Sequence, residues 1–153
     1  MHEITALRRK KYGKIFYQGK ELLPPRQDLV FKAIFGTEDG KGLLAAFLRD
    51  VLGVDVEKAE DITLLNNEIP AGYELDKQVR LDLRVRTRNN EHINIEIQVA
   101  DERNTIPRSV YYNAKLMASQ EARGENYKSL GRALSLFILD FRLLPGEEAW
   151  YNS

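Results

Sequence analysis

Two acids and an amide, Asp82, Glu96 and Gln98, stand at a spacing that could bind a cation and act on a phosphate. They fall in residues 79–100, VRLDLRVRTRNNEHINIEIQVA, where apolar and polar side chains alternate with period two on both sides of a polar turn. Residues two apart in a strand share a face. Leu81, Leu83 and Val85 therefore oppose Asp82, Arg84 and Arg86, and Ile93, Ile95, Ile97 and Val99 oppose Asn94, Glu96 and Gln98. An odd-length loop around Arg88-Asn89-Asn90 puts both apolar rows on one side of an antiparallel hairpin. The same register gathers Asp82, Glu96 and Gln98 on the polar side. Two carboxylates that close repel each other unless a proton or a cation lies between them. A hard divalent cation such as Mg²⁺ takes oxygen ligands, needs only one or two carboxylates, and can activate water toward phosphorus. A solvated sheet face, with Arg84 and Arg86 pairing with the acids, fits the same pattern.

The elements that must position these residues follow from periodicity and capping. Asp28 reads as the N-cap of a helix over Leu29–Phe35 that stops at Gly36, with Phe31, Ile34 and Phe35 as its buried stripe. Lys32 lies one turn into that helix, either facing the site or exposed to solvent. Residues 41–52 form a second amphipathic helix with Leu44, Phe47, Leu48 and Val51 or Leu52 inward, closed by Gly53. Residues 61–69 read as one strand, with Glu68 either an additional acid of the site or a solvated strand end. After a turn over residues 70–77 and the hairpin, Pro107 suits the first turn of a helix running to about Arg123 and ended by Gly124. Arg108, Tyr112, Lys115 and Ser119 form one stripe along it, able to grip phosphate or to stay solvated. Val110, Ala114, Met117 and Ala118 are expected to supply packing. Residues 132–141, RALSLFILDF, read as an internal strand buried on both faces.

Composition bounds the rest. The 153 residues suit one domain with a real core. No cysteine is present, which excludes disulfides and thiolate zinc sites, and the only histidines are His2 and His92, which argues against a histidine-based metal centre. No apolar run is long enough to span a bilayer and the first residues lack a signal-peptide core, so no membrane partner and a cytoplasmic location are expected. The net charge is zero, so nucleic-acid binding must come from local asymmetry. One candidate is the N-terminal segment 1–25 with Arg8, Arg9, Lys10, Lys11, Lys14 and Lys20, a basic arm or a solvated terminus in which Ile15–Tyr17 forms a short strand.

Asp82 followed by Glu96-Ile97-Gln98 resembles the PD-(D/E)XK nuclease signature with Gln in place of the usual Lys. The wording is closest to the Rpn-type recombination-promoting nucleases, the PD-(D/E)XK family transposases. Six blocks match in order: Asp28 to Gly36 (DLVFKAIFG), Asn67-Glu68, Leu81-Asp82, Ile93 to Gln98 (INIEIQ), Arg108 to Tyr112 (RSVYY) and Gly124 to Tyr127 (GENY). The resemblance covers about residues 26–152. It implies an α/β fold with a restriction-endonuclease-like core, a mixed sheet with a central antiparallel hairpin flanked by helices. It implies an Mg²⁺- or Mn²⁺-dependent DNA endonuclease acting in recombination or transposition. Asp82 and Glu96 would ligate the metal, the Ile97 carbonyl would be a further ligand, and Gln98 would orient water. Asp28, Lys32 and Glu68 would be additional members, and Arg108, Tyr112 and Lys115 would contact DNA. Members of that family continue past this length, so the domain 26–153 is expected to be a core shortened at its C-terminus, with self-association into a homodimer left open. The alternative is a catalytically silent nuclease-like domain serving DNA binding or assembly.

Overall fold

The computed structural model describes residues 15–17, 20–22, 27–69, 79–120 and 127–143. Strands β1 (Ile15–Tyr17) and β2 (Lys20–Leu22) pair antiparallel as a separate ribbon, in keeping with a strand at Ile15–Tyr17. The rest of the basic N-terminal segment and residues 70–77 lie outside the described residues.

The main sheet has four strands in the order β3-β6-β7-β8: β3 (Ile62–Leu64), β6 (Leu83–Thr87), β7 (His92–Gln98) and β8 (Ala133–Leu139). It is mixed, because β3, β6 and β7 pair antiparallel while β8 runs parallel to β7. Two short strands, β4 (Glu68–Ile69) and β5 (Val79–Arg80), pair beside it. Helices α1 (Asp28–Phe35) and α2 (Lys41–Leu52) precede the sheet, and α3 (Thr105–Ala118) bridges β7 to β8. Three helices on a mixed sheet with this order make the α/β, restriction-endonuclease-like architecture that the sequence implies.

The β6–β7 register agrees with the hairpin reading. Leu83 faces Ile95, Val85 faces Ile93, and Thr87 N–H donates to the Glu91 carbonyl, leaving the three-residue loop Arg88-Asn89-Asn90. Asn90 closes it with a left-handed φ of 59°, a conformation that asparagine tolerates. Arg88 ties the turn down, reaching Asp55 at 2.7 Å and Asp61 at 3.3 Å.

The apolar row of this hairpin forms the main core. Leu83, Val85, Ile93 and Ile95 pack with Phe31, Leu44, Ala45, Leu48, Val54, Val56 and Ile62, backed by Leu134, Leu136 and Ile138 from β8. Each fully buried aliphatic side chain contributes about 1.5–3 kcal/mol. Phe31, Phe35 and Phe47 interlock at ring separations of 4.5–6.4 Å and fix α1 upon α2. Leu52, not Val51, completes the inner face of α2. Gly53 ends that helix at φ 64°, with its N–H donating to the Arg49 carbonyl.

Several expectations are corrected. Gln27, not Asp28, is the N-cap, so Asp28 is the first helical residue. Residues 61–69 do not form one strand: Asp61 closes a 3₁₀ turn, and Leu65–Asn67 separates β3 from β4. Leu81 leaves the apolar row of Leu83 and Val85 and joins Ile69, Val79 and Leu116 in a second cluster, because the chain bends at Asp82. Strand β8 lies at the sheet's edge and is half-buried, so its apolar run does not mark an internal strand. Helix α3 ends at Ala118, and its buried residues are Thr105 and Leu116. Val110, Ala114, Met117 and Ala118 are exposed instead of packed. Gly124 lies outside the described residues.

Candidate active site

The hairpin's polar side is not a solvated face. Helix α3 packs over it, so Asn94, Glu96 and Gln98 are buried along β7. The cover begins at the end of β7, where the Thr105 hydroxyl donates to Gln98 Oε1 at 2.8 Å, and it ends where Arg84 donates to the Ser119 hydroxyl at 2.7 Å.

Asp82 occupies a bend where the first hairpin strand stops pairing with β4 and begins pairing with β7. A backbone that leaves a ladder strands its polar groups, and these must find other partners. Asn67 supplies them on one side. Its carbonyl accepts from Leu81 N–H at 2.9 Å, its amide nitrogen donates to the Asp82 carbonyl at 3.0 Å, and its Oδ1 accepts from Arg84 N–H at 3.2 Å. On the other side the two acids do so. Glu96 Oε1 accepts from Asp82 N–H at 3.1 Å, and Asp82 Oδ2 accepts from Ile97 N–H at 2.9 Å. Each carboxylate is thereby held through one oxygen to the neighbouring backbone.

The outer oxygens meet cations. Lys32 Nζ lies 3.1 Å from Asp82 Oδ1 and 2.7 Å from Asp28 Oδ1. Arg108 lies 3.5 Å from Glu96 Oε2, reaches toward Glu102 at 3.7 Å, and stacks over the Tyr112 ring at 5.0 Å. The solvated-face reading assigned Arg84 and Arg86 to pair with the acids; Lys32 and Arg108 do it instead. Burial, then the charge of Asp82, pushes the Glu96 carboxyl up to about 7, against the opposing pull of the Asp82 amide and Arg108. Burial alone would lower the Lys32 ammonium, but its bonds to Asp28 and Asp82 outweigh that and raise it.

The structure thus brings together Asp28, Lys32, Asp82, Glu96 and Arg108, from α1, the hairpin and α3. Gln98 shares the face, but its amide oxygen is engaged by Thr105. Glu68 stands exposed on β4 opposite Arg80. Tyr112 packs on the second core cluster, and Lys115 lies 5.8 Å from the Tyr111 ring centre. Sequence reasoning assigned no role to Asn67 or Asn94. Asn67 carries no spacing signal of its own. Asn94 shares the parity of Glu96, which fixes its face but not its burial.

Among the described residues no group of three or more Asp, Glu, His or Cys is placed to hold a metal. The donor set is the hard-oxygen pair Asp82 and Glu96, which suffices for an ion that retains several waters.

A family model for the PD-(D/E)XK nuclease family transposase matches residues 25–153. The chain belongs to the PD-(D/E)XK nuclease family transposases. No curated protein and no solved structure matches it. PD-(D/E)XK nucleases generally use divalent metal ions. No helix among the described residues is long and apolar enough to cross a membrane.

Proposed function

We propose that this chain is a metal-dependent DNA endonuclease that hydrolyses phosphodiester bonds in recombination or transposition. The observation that carries it is the facing pair Asp82 and Glu96, each tied by one oxygen to the backbone of the other strand, with Glu96 raised to about 7. Lys32 and Arg108 each reach one outer oxygen of the pair, but the Asp82 charge still opposes ionisation of Glu96, and a cation shared by both carboxylates would relieve that conflict. Asp82 and Glu96 would hold Mg²⁺ or Mn²⁺, with the Ile97 carbonyl as a further ligand; the ion supplies a lowered pKa for its water and offsets phosphate charge.

The protein's own groups do the rest. Lys32 is held between Asp28 and Asp82, where its ammonium can transfer from carboxylate to a phosphate oxygen. Arg108, braced on Tyr112, can present its guanidinium to the same group. Gln98 pins the start of α3 against β7 through Thr105, and so sets how closely Arg108 approaches Glu96. The Gln98 amide cannot take a proton near neutral pH and Glu96 would be ionised as a metal ligand, which leaves proton transfer to solvent.

A second reading has an observation in its favour: Lys32 and Arg108 already cap both outer oxygens, which suits a silent domain used for DNA binding or assembly. Plasmid nicking with Mg²⁺, Mn²⁺ or EDTA separates the two. Nicking that needs metal and disappears in Asp82→Asn supports the nuclease. An inert wild type under all metals, folded as judged by its melting curve, rejects it.

A further inference from the structure

Beyond the acid pair, the polar face of the hairpin is ordered by charge. Asp82 meets Glu96 through its N–H at 3.1 Å from Glu96 Oε1, then come Arg84 opposite Asn94 and Arg86 opposite His92. At this basic end the face opens into a cavity of about 430 Å³, roofed by the C-terminal end of α3 and walled by Leu65 and Leu130. That is within the ~300–1,000 Å³ of small-molecule sites. No acidic residue lines it among the described residues.

Two lining groups are buried without a partner. Arg84 Nε and His92 Nδ1 make no hydrogen bond, although His92 is only 7% exposed. Among the described residues the Arg84 guanidinium is held by the neutral Ser119 hydroxyl. Burial, together with Arg84 and Arg86, pushes the His92 imidazole down. Two guanidiniums, an open imidazole nitrogen and no carboxylate describe a receptor for an anion.

We propose that this cleft binds the phosphate of a nucleotide, gripped by Arg84, Arg86 and His92, with the sugar or base against Leu65 and Leu130. A lone phosphate would leave the apolar walls and much of the cavity unused. Arg84 lies two residues from Asp82 on one strand face, about 6.6 Å along it, so a strand whose phosphate meets the acid pair can set a neighbouring phosphate here. The cleft then fixes the register of the nucleic-acid strand over the acids. That placement rests on the nuclease reading; binding of the phosphate group does not.

The experiment is thermal melting of the full chain in EDTA with thymidine 5′-monophosphate, thymidine or inorganic phosphate, on wild type, Arg86→Ala, His92→Gln and Asp82→Asn. Arg86 is exposed, so its truncation leaves the core intact. The monophosphate is expected to raise the melting temperature, thymidine to leave it unchanged, and inorganic phosphate to act more weakly. Affinity should fall about tenfold in Arg86→Ala and by a similar factor in His92→Gln, while Asp82→Asn retains it. A short oligonucleotide should compete for the site. No shift with either phosphate compound, or equal shifts in wild type and Arg86→Ala, overturns the proposal. Equal shifts with inorganic phosphate and the monophosphate, without competition by the oligonucleotide, overturn the nucleotide assignment and leave a free-phosphate site. A monophosphate shift retained in a protein that never nicks DNA rejects the nuclease reading while the cleft stands.

Discussion

The Glu96 carboxyl gives the sharpest prediction, because its perturbation has a fixed sign. Its folded-state pKa is raised from 4.5 to about 7, first by burial and then by Asp82. Between those values the folded chain holds a proton that the unfolded chain has lost, so stability must fall as pH rises. A shift of that size corresponds to about 3 kcal/mol, present below pH 5 and lost by about pH 8. His92 works the other way, since its depressed pKa adds stability as pH rises through the ordinary histidine range. The difference between wild type and Glu96→Gln isolates the carboxyl, because the substitution keeps the shape and removes the ionisation. Urea unfolding in EDTA at pH 5, 6, 7 and 8 should show wild type losing about 2.5 kcal/mol relative to Glu96→Gln across the series, the rest being lost already by pH 5. Parallel curves for the two proteins would refute the reasoning, for they would mean that Glu96 ionises in the folded state as easily as in solvent.

Asn67→Ala removes two side-chain bonds at the Asp82 bend and leaves Arg84 N–H and the Asp82 carbonyl unpaired. It should cost about 1–3 kcal/mol in urea unfolding and weaken nicking, whereas unchanged stability would mean that the bend does not depend on Asn67. Lys32→Met frees Asp82 Oδ1 from its ammonium. The thermal stabilisation by Mg²⁺ should grow while the nicking rate falls at least tenfold, and a rate equal to wild type would remove Lys32 from the phosphate's path.

The hairpin was the legible part of this chain. Period two fixes which side chains share a face, and core and carboxylates demanded one parity, so Asp82, Glu96 and Gln98 on one face could be written down in advance. Parity says nothing, however, about what lies over a face. Glu96 and Gln98 could be read as site members or as solvated side chains until α3 is laid across them, and that helix gave a misleading signal by carrying Val110, Ala114 and Met117 on its outer side. Lys32 was readable only as a choice of two directions, because its orientation depends on how Phe31, Phe35 and Phe47 lock α1 to α2. Asn67 stood in a matched block but without a role, for another reason. Its work is done on the backbone of a bend that the alternating pattern, running unbroken from Leu81 to Arg86, conceals. The apolar run of β8 misled in the same way, since a half-buried edge strand and an internal one share a composition.

Whether Asp82 and Glu96 together hold a divalent cation is decided by calorimetric titration of Mn²⁺ into the metal-free protein. Run near pH 7 in two buffers of different ionisation heat, wild type should bind one ion and release a fraction of a proton, drawn from the raised Glu96 carboxyl. Asp82→Asn should lose the binding, and Glu96→Gln should weaken it and release no proton. Binding of equal strength in wild type and Asp82→Asn, or none in wild type, would contradict the account.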